Sequence, residues 1–103
     1  MNTKKSNTMT FLEDITGGVL TLSELLMSIR LAEGLSQVDF AKKLKISRSH
    51  LCDIEKRRKF LSVERACAFA VMLGYSKEQF VRLALQEQLE EASLNYKIIL
   101  EAA

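Results

Sequence analysis

The fold is decided by one stretch, residues Ser36–Lys59, which reads SQVDFAKKLKISRSHLCDIEKRRK. This stretch predicts two short helices that are joined by a tight turn and followed by a basic run. Ser36 is a favourable N-cap, because its hydroxyl can accept a hydrogen bond from the backbone N–H of Asp39. Ser47 is the corresponding cap residue of the second helix. We therefore expect a pair of capped helices in quick succession.

The two predicted helices each have an apolar face. Phe40, Ala41 and Leu44 share one face of the first helix, and Leu51 and Ile54 supply the inward face of the second. The outer face of the second helix is polar, and it consists of Arg48, Ser49, Cys52, Asp53 and Lys56. These side chains suit the major groove of DNA better than a protein core.

Spacing and residue types resemble the lambda-repressor/Cro-like (Xre-type) helix-turn-helix family over roughly residues 20–85. The matching residues are Gln37, Phe40, Ala41, Leu44, Ile46, Ser47, Leu51, Ile54 and Glu55. The resemblance implies an all-α, compact five-helix lambda-repressor-like domain. It implies that the second helix of the pair lies in the major groove while the first crosses the DNA backbone. It also implies a structural ion pair between Arg30 and Glu55.

Two positions depart from the family pattern. Many members have glycine at the turn, where Lys45 stands, and after the recognition helix, where Arg57 stands. Glycine adopts positive φ at little cost, whereas a residue with a Cβ atom does not. The sequence therefore leaves the local backbone path open at both positions.

Candidate DNA contacts fall into two groups. We expect base reading by residues on the outer face of the recognition helix, namely Arg48, Ser49, Cys52 and Asp53. Arg48 could bind guanine through O6 and N7. Asp53 could accept from a cytosine amino group, or could instead orient Arg48 or an adjacent basic side chain. We expect phosphate binding by the helix N-termini and the basic run, namely Gln37, Ser47, His50, Lys56, Arg57, Arg58 and Lys59.

The distribution of charge supports a nucleic-acid partner better than the total does. The chain has a net charge of only +2. Between Lys42 and Lys59, eight basic residues face two acidic ones, so this stretch carries +6 and the remainder carries −4. A basic face on an otherwise acidic domain is typical of polyphosphate binding.

With 103 residues, the chain has room for one domain. We divide it into an N-terminal arm with a short packing segment (1–19), a DNA-binding domain (20–92) and a tail (93–103). Phe11, Leu12 and Ile15 form the apolar patch of the first part. Residues 21–24 match a T-x-x-E capping box that opens the first long helix.

The tail has a different composition from the domain before it. Residues 95–100, NYKIIL, are rich in strand-forming side chains. One interpretation is a short strand, which would need a partner edge from the same tail of a second subunit or from the Phe11 region. The other interpretation is a helical extension packed on the fifth helix. The first makes the tail a candidate dimerisation element.

Other functional classes find no support in the sequence. There is no glycine-rich phosphate loop and no convergent set of catalytic side chains, so we expect neither an enzyme nor a cofactor. Cys52 and Cys67 match no metal pattern. We expect Cys67 to be a small core residue and Cys52 a free thiol near the surface. No apolar run could span a bilayer, and the first ten residues lack the apolar core of a signal peptide, so we expect a cytoplasmic protein.

Two functional hypotheses remain. The first is a dimeric, sequence-specific transcriptional regulator, a repressor that binds a twofold operator in double-stranded DNA. The second is an antitoxin-type protein whose acidic, apolar tail, from Glu87 onward, neutralises a toxin protein while the domain binds the operator of its own operon.

Overall fold

The computed structural model describes residues 21–103, which form five α-helices and no β-strand. These are α1 (Leu22–Ala32), α2 (Gln37–Leu44), α3 (Arg48–Glu55), α4 (Val63–Leu73) and α5 (Lys77–Glu91). The predicted all-α, five-helix architecture is confirmed. The predicted N-terminal arm and packing segment, with Phe11, Leu12 and Ile15, lies outside the described residues.

A hydroxyl side chain begins each of the five helices. The cap residues are Thr21, Ser36, Ser47, Ser62 and Ser76. Each hydroxyl oxygen accepts from the backbone N–H three residues ahead, over 3.0 Å in α3 and 3.3 Å in α5. A cap of this kind contributes about 1 kcal/mol of stability. At Thr21 the Glu24 carboxylate also accepts from the Thr21 N–H, so the predicted capping box is confirmed.

The backbone follows a glycine-like path at both departures from the family pattern. Lys45 ends α2 with φ +61° and ψ +40°, and Arg57 has φ +61°. The left-handed turn at Lys45 lets the Ile46 N–H donate to the Ala41 carbonyl over 3.0 Å. The sharp turn between α2 and α3 is therefore kept with a lysine in place.

The core lies between the helices, with α4 against α5, α2 against α3, and α1 against both α3 and α5. Phe40, Phe69 and Phe80 are its largest members. Its other members are aliphatic side chains and alanines: Leu22, Leu25, Leu26, Ile29, Ala41, Leu44, Leu51, Ile54, Leu61, Ala66, Ala70, Leu73, Leu83 and Ala84. Because Leu51 and Ile54 are buried, α3 is fixed by its inner face.

A buried carboxylate on α5 holds the start of α1. Glu87 is 4% exposed, and its Oε1 accepts from the Leu22 N–H over 2.8 Å. The Ser23 N–H lies near the same carboxylate. Burial raises the pKa of Glu87 above its ordinary value, while these two backbone N–H groups and the charge of Arg57 oppose the rise. The last helix is thereby joined to the first through N-terminal amides that have no partner within their own helix.

The tail differs from both interpretations that the sequence left open. Residues 94–103 are neither helix nor strand. Ser93 takes φ +58°, and the Leu94 N–H donates to the Leu89 carbonyl over 2.8 Å, so the helix ends there. No neighbouring strand is present among residues 21–103 to form a ladder with the tail.

Candidate nucleic-acid interface

The recognition helix α3 presents its outer face to solvent. Arg48 and Ser49, at its first turn, are exposed, as is Lys56 just after its last turn. Cys52 and Asp53 are half-buried. The structure therefore places all four candidate base-reading residues on α3, with the two at its start most accessible to a ligand.

The N-termini of the two motif helices carry unpaired backbone amides and a positive dipole end. Gln37 is the first residue of α2, and Ser47 caps α3. The Ser47 hydroxyl accepts from the His50 N–H over 3.0 Å and can still donate its own proton. Both ends are suited to phosphate oxygens.

Beneath α3, an arginine, a glutamate and a glutamine are joined by hydrogen bonds. Arg30 Nε donates to Glu55 Oε2 over 2.8 Å, and Arg30 Nη2 donates to Oε1 over 3.2 Å. Gln37 Nε2 donates to the same Oε1 over 3.0 Å. The side chains of Arg30 and Glu55 are only 14% and 3% exposed. This bidentate pair therefore connects α1 to α3, and Gln37 adds α2 to the same contact.

Asp53 lies beside the basic run rather than beside Arg48. Its Oδ1 accepts from Arg58 Nε over 2.9 Å, and Arg58 Nη2 lies 2.9 Å from the same oxygen. Lys59 Nζ lies 3.9 Å from Oδ2. The Asp53 carbonyl also accepts from the Arg58 N–H over 2.8 Å. Because the backbone of Arg57 adopts a left-handed conformation, the chain folds back far enough for Arg58 to reach this carboxylate.

The segment Lys56–Lys59, here termed the basic loop, follows α3 directly, and all four side chains are exposed. His50 is half-buried beside it. Burial lowers the pKa of His50, and the charges of Arg65 and Lys59 lower it further, while Asp53 opposes them. A neutral His50 would meet a phosphate through a hydrogen bond and not through a charge.

A family model described as helix-turn-helix matches residues 26–80, which is more than half of the chain. The matched segment includes α2, the turn at Lys45, α3 and the basic loop. The chain belongs to the Cro/C1-type helix-turn-helix family. It is thus a DNA-binding helix-turn-helix regulator. No curated protein and no solved structure matches it.

The sequence did not establish three contacts of this helix-turn-helix domain. Gln37 was expected to contact the DNA backbone or to support the base-reading side chains, and its amide donates to Glu55. The Asp53–Arg58 pair depends on the left-handed backbone of Arg57. From the sequence, contact with an adjacent basic side chain was only one of the roles considered for Asp53. Glu87 lies beyond the matched segment, 65 residues from its partner Leu22, and no sequence pattern indicated it.

The cysteines, the acidic side chains and the helices of residues 21–103 bear on other kinds of site. Cys52 and Cys67 are free thiols and both are half-buried, so Cys67 is less enclosed than expected. Among residues 21–103, no group of three His, Cys, Asp or Glu side chains could hold a metal ion. Over the same range, no helix combines the length and the apolar character needed to cross a membrane.

Proposed function

We propose that this regulator is a repressor that binds a twofold operator as a homodimer, with α3 of each protomer in the major groove. The observation that supports this most is the exposed outer face of α3, which lies between a capped N-terminus and the basic loop. Arg48 and Ser49 project from that face while Leu51 and Ile54 anchor its back. Occupation of an operator would exclude polymerase from an overlapping promoter.

Base contacts are assigned by position on α3. Arg48 and Ser49 lie in the first turn, where a helix of this family reaches base edges. Cys52 and Asp53 lie one turn further along and are half-buried, so they would approach the bases less closely. Asp53 would also act indirectly, because its carboxylate holds the guanidinium of Arg58 beside the helix.

Phosphate contacts are assigned to the rim of the same surface. The basic loop, Lys56–Lys59, supplies four exposed cations, and the starts of α2 and α3 supply backbone amides from Gln37 and Ser47 onward. His50 would add a neutral donor. These contacts fix the register of the protein on the duplex and carry no sequence information themselves.

Selection of bound DNA from a random pool tests the proposal. The expected product is a twofold-symmetric site with half-sites about one helical turn apart, because a symmetric dimer reads both halves alike. Binding should weaken steeply as salt is added, since phosphate contacts release counterions. Recovery of no common site, or binding that does not respond to salt, would contradict the proposal.

Three alanine variants then separate the roles on the selected site. Arg48→Ala should cost about 1–3 kcal/mol of binding free energy per half-site and relax the preference at one base position. Lys56→Ala should weaken all sequences alike and flatten the salt dependence by about one unit of slope per protomer. Lys77→Ala is the matched control, since this exposed lysine begins α5 and lies outside the assigned surface. An equal loss in Lys77→Ala would show that charge alone, and not the α3 surface, determines binding.

A second candidate function is favoured by one observation, the exposed apolar side chains of the tail. Leu94, Tyr96 and Ile99 are all exposed. In an antitoxin-type protein such a tail would cover a toxin while the domain binds the operator. Co-expression with a neighbouring small open reading frame, followed by purification, tests this function. A tail that engages only its own copy would contradict it.

A further inference from the structure

The tail after α5 turns back and is held by one side chain of that helix. Gln86 Nε2 donates to the Tyr96 carbonyl over 2.6 Å, and Gln86 Oε1 accepts from the Ile98 N–H over 2.9 Å. One amide thus bridges the backbone on either side of Lys97. In a parallel sheet, the peptide groups of a neighbouring strand make this same pair of bonds, to the carbonyl before a residue and the amide after it. The tail is therefore extended here, with Gln86 in the place of a neighbouring strand.

Within residues 21–103, the opposite edge of the tail has no such neighbour. In an extended chain, alternate residues direct their backbone N–H and C=O groups to opposite edges. Lys97, Ile99 and Glu101 therefore share the edge away from Gln86, and no hydrogen bond from residues 21–103 reaches their backbone groups. An unpaired edge of this kind is a template for another strand.

The side chains of the tail are divided in the same alternating way. Ile98 and Leu100 are half-buried, whereas Ile99 between them is 81% exposed, the highest value among the large apolar side chains of residues 21–103. Ile99 thus stands on the outer face of an extended segment that has an open edge. A strand paired with this edge would satisfy its backbone groups and would also cover part of the Ile99 side chain.

The charges on the open edge indicate which strand fits. An antiparallel pair of identical tails centred on Ile99 would place Lys97 of each copy opposite Glu101 of the other. Centring the pair on Lys97 would oppose two lysines, and centring it on Glu101 would oppose two glutamates. Opposite charges across a strand pair stabilise it, and like charges directly opposite destabilise it. The edge is therefore complementary to itself in the register centred on Ile99.

We propose that the tail pairs with the tail of a second copy as an antiparallel ribbon whose twofold axis passes between the two Ile99 residues. The proposal rests on the homodimer proposed above and names the contact that holds it. It places Ile99 against Ile99 and forms two Lys97–Glu101 pairs, one on each side of the axis. The half-buried Ile98 and Leu100 of one copy would lie opposite Leu100 and Ile98 of the other.

Charge reversal in the full chain tests the register. Lys97→Glu and Glu101→Lys should each weaken the dimer roughly tenfold in sedimentation equilibrium, because both cross-strand pairs become repulsive. The double variant should recover the wild-type dissociation constant, since the pairs are restored in reverse. An equimolar mixture of the two single variants should form a heterodimer tighter than either homodimer. Equal dissociation constants for all variants, or no recovery in the double variant, would overturn the proposal.

Disulfide trapping tests the axis. Residues directly opposite in a hydrogen-bonded antiparallel pair have Cα atoms about 5.5 Å apart, which is within the range that a disulfide spans. Ile99→Cys should therefore cross-link to itself under mild oxidation. Leu94→Cys is the matched control, because Leu94 is also exposed but lies five residues from the axis, so its two copies would be far apart in this register. The wild-type chain, with Cys52 and Cys67, sets the background. Trapping of Ile99→Cys no greater than that of Leu94→Cys would overturn the proposal.

Binding to the selected DNA separates this failure from failure of the proposed function. If the protein binds a twofold site as a dimer and no tail variant weakens that dimer, the proposed function is supported and the tail contact is wrong. If the tails cross-link but the protein binds no DNA, the tail contact is supported and the proposed function is wrong. A chain that remains a monomer at all concentrations would overturn the tail proposal directly.

Discussion

The domain contains two buried glutamates that are stabilised in different ways. Glu55 lies under the recognition helix and is paired with a guanidinium and an amide, from Arg30 and Gln37. Glu87 lies on α5 and accepts from the Leu22 N–H at the start of α1, with the Ser23 N–H nearby. A full charge compensates the first carboxylate, whereas helix amides with roughly half a charge compensate the second. The half that contains the helix-turn-helix is thus joined by an ion pair, and the C-terminal half by a helix dipole.

This difference determines what each contact does. A bidentate arginine restricts the angle between α1 and α3, because both nitrogens must meet both oxygens. Gln37 extends the restriction to α2, whose N-terminus is assigned to phosphate. Glu87 instead satisfies amides that would otherwise be buried without partners. The first contact therefore positions the helices of the proposed interface, and the second allows the start of α1 to be covered by α5.

The largest effect is expected when the ion pair is broken on one side. Arg30→Met leaves Glu55 buried without its cation, which should lower the free energy of unfolding by about 3–5 kcal/mol. Urea unfolding followed by circular dichroism measures the loss. Adding Glu55→Leu to Arg30→Met should recover most of it, since no unpaired charge remains. A loss below about 1 kcal/mol in Arg30→Met would mean that water reaches Glu55 and that the pair behaves as a surface contact.

A smaller loss is expected at the second carboxylate. Glu87→Ala leaves the buried Leu22 N–H without its acceptor, which should cost about 1–3 kcal/mol in the same urea assay. Glu87→Gln should cost less near neutral pH, because its amide oxygen can still accept from Leu22. An equal loss in both variants would show that the negative charge, and not the acceptor oxygen, stabilises α1.

The pH dependence sharpens this comparison. Burial raises the pKa of Glu87 in the folded state above its ordinary value, so the folded chain holds this proton more tightly than the unfolded chain does. Stability from this group is therefore present below the ordinary glutamate pKa and declines as pH rises through the raised value. Wild type should lose stability relative to Glu87→Gln as pH rises across that window. A constant difference between the two proteins would contradict the assignment.

Predictions from the sequence succeeded where the signal is local. The Thr and Ser caps, each three residues before its partner amide, gave the helix starts, and apolar spacing gave the core positions. Arg30 with Glu55 came from family resemblance, and the structure brings the two side chains together. The Glu87–Leu22 contact joins residues 65 apart, so only the packed fold could show it. The tail was ambiguous because an extended segment is stabilised by a partner strand, and its own sequence does not supply one.

The smallest effect concerns strain, which also differs between the two halves. Lys45 and Ser93 each end a helix with a left-handed backbone, at φ +61° and +58°. Such a conformation costs a residue with a Cβ atom about 1–2 kcal/mol relative to its usual one, and glycine avoids most of this. Lys45→Gly should therefore raise the free energy of unfolding by about 1 kcal/mol. Ser93→Gly should raise it by less, because the end of α5 can fray without global unfolding.

Urea midpoints measure both substitutions, and Lys45→Ala is the control for the lost charge. Lys45→Ala removes the same cation but keeps the Cβ atom, so it should show no comparable gain in stability. Equal gains from Lys45→Gly and Ser93→Gly would mean that the tail unfolds together with the domain. That outcome would place the tail and the recognition helix in one cooperative unit, and disruption of the tail contact would then reduce DNA affinity through stability as well as through dimerisation.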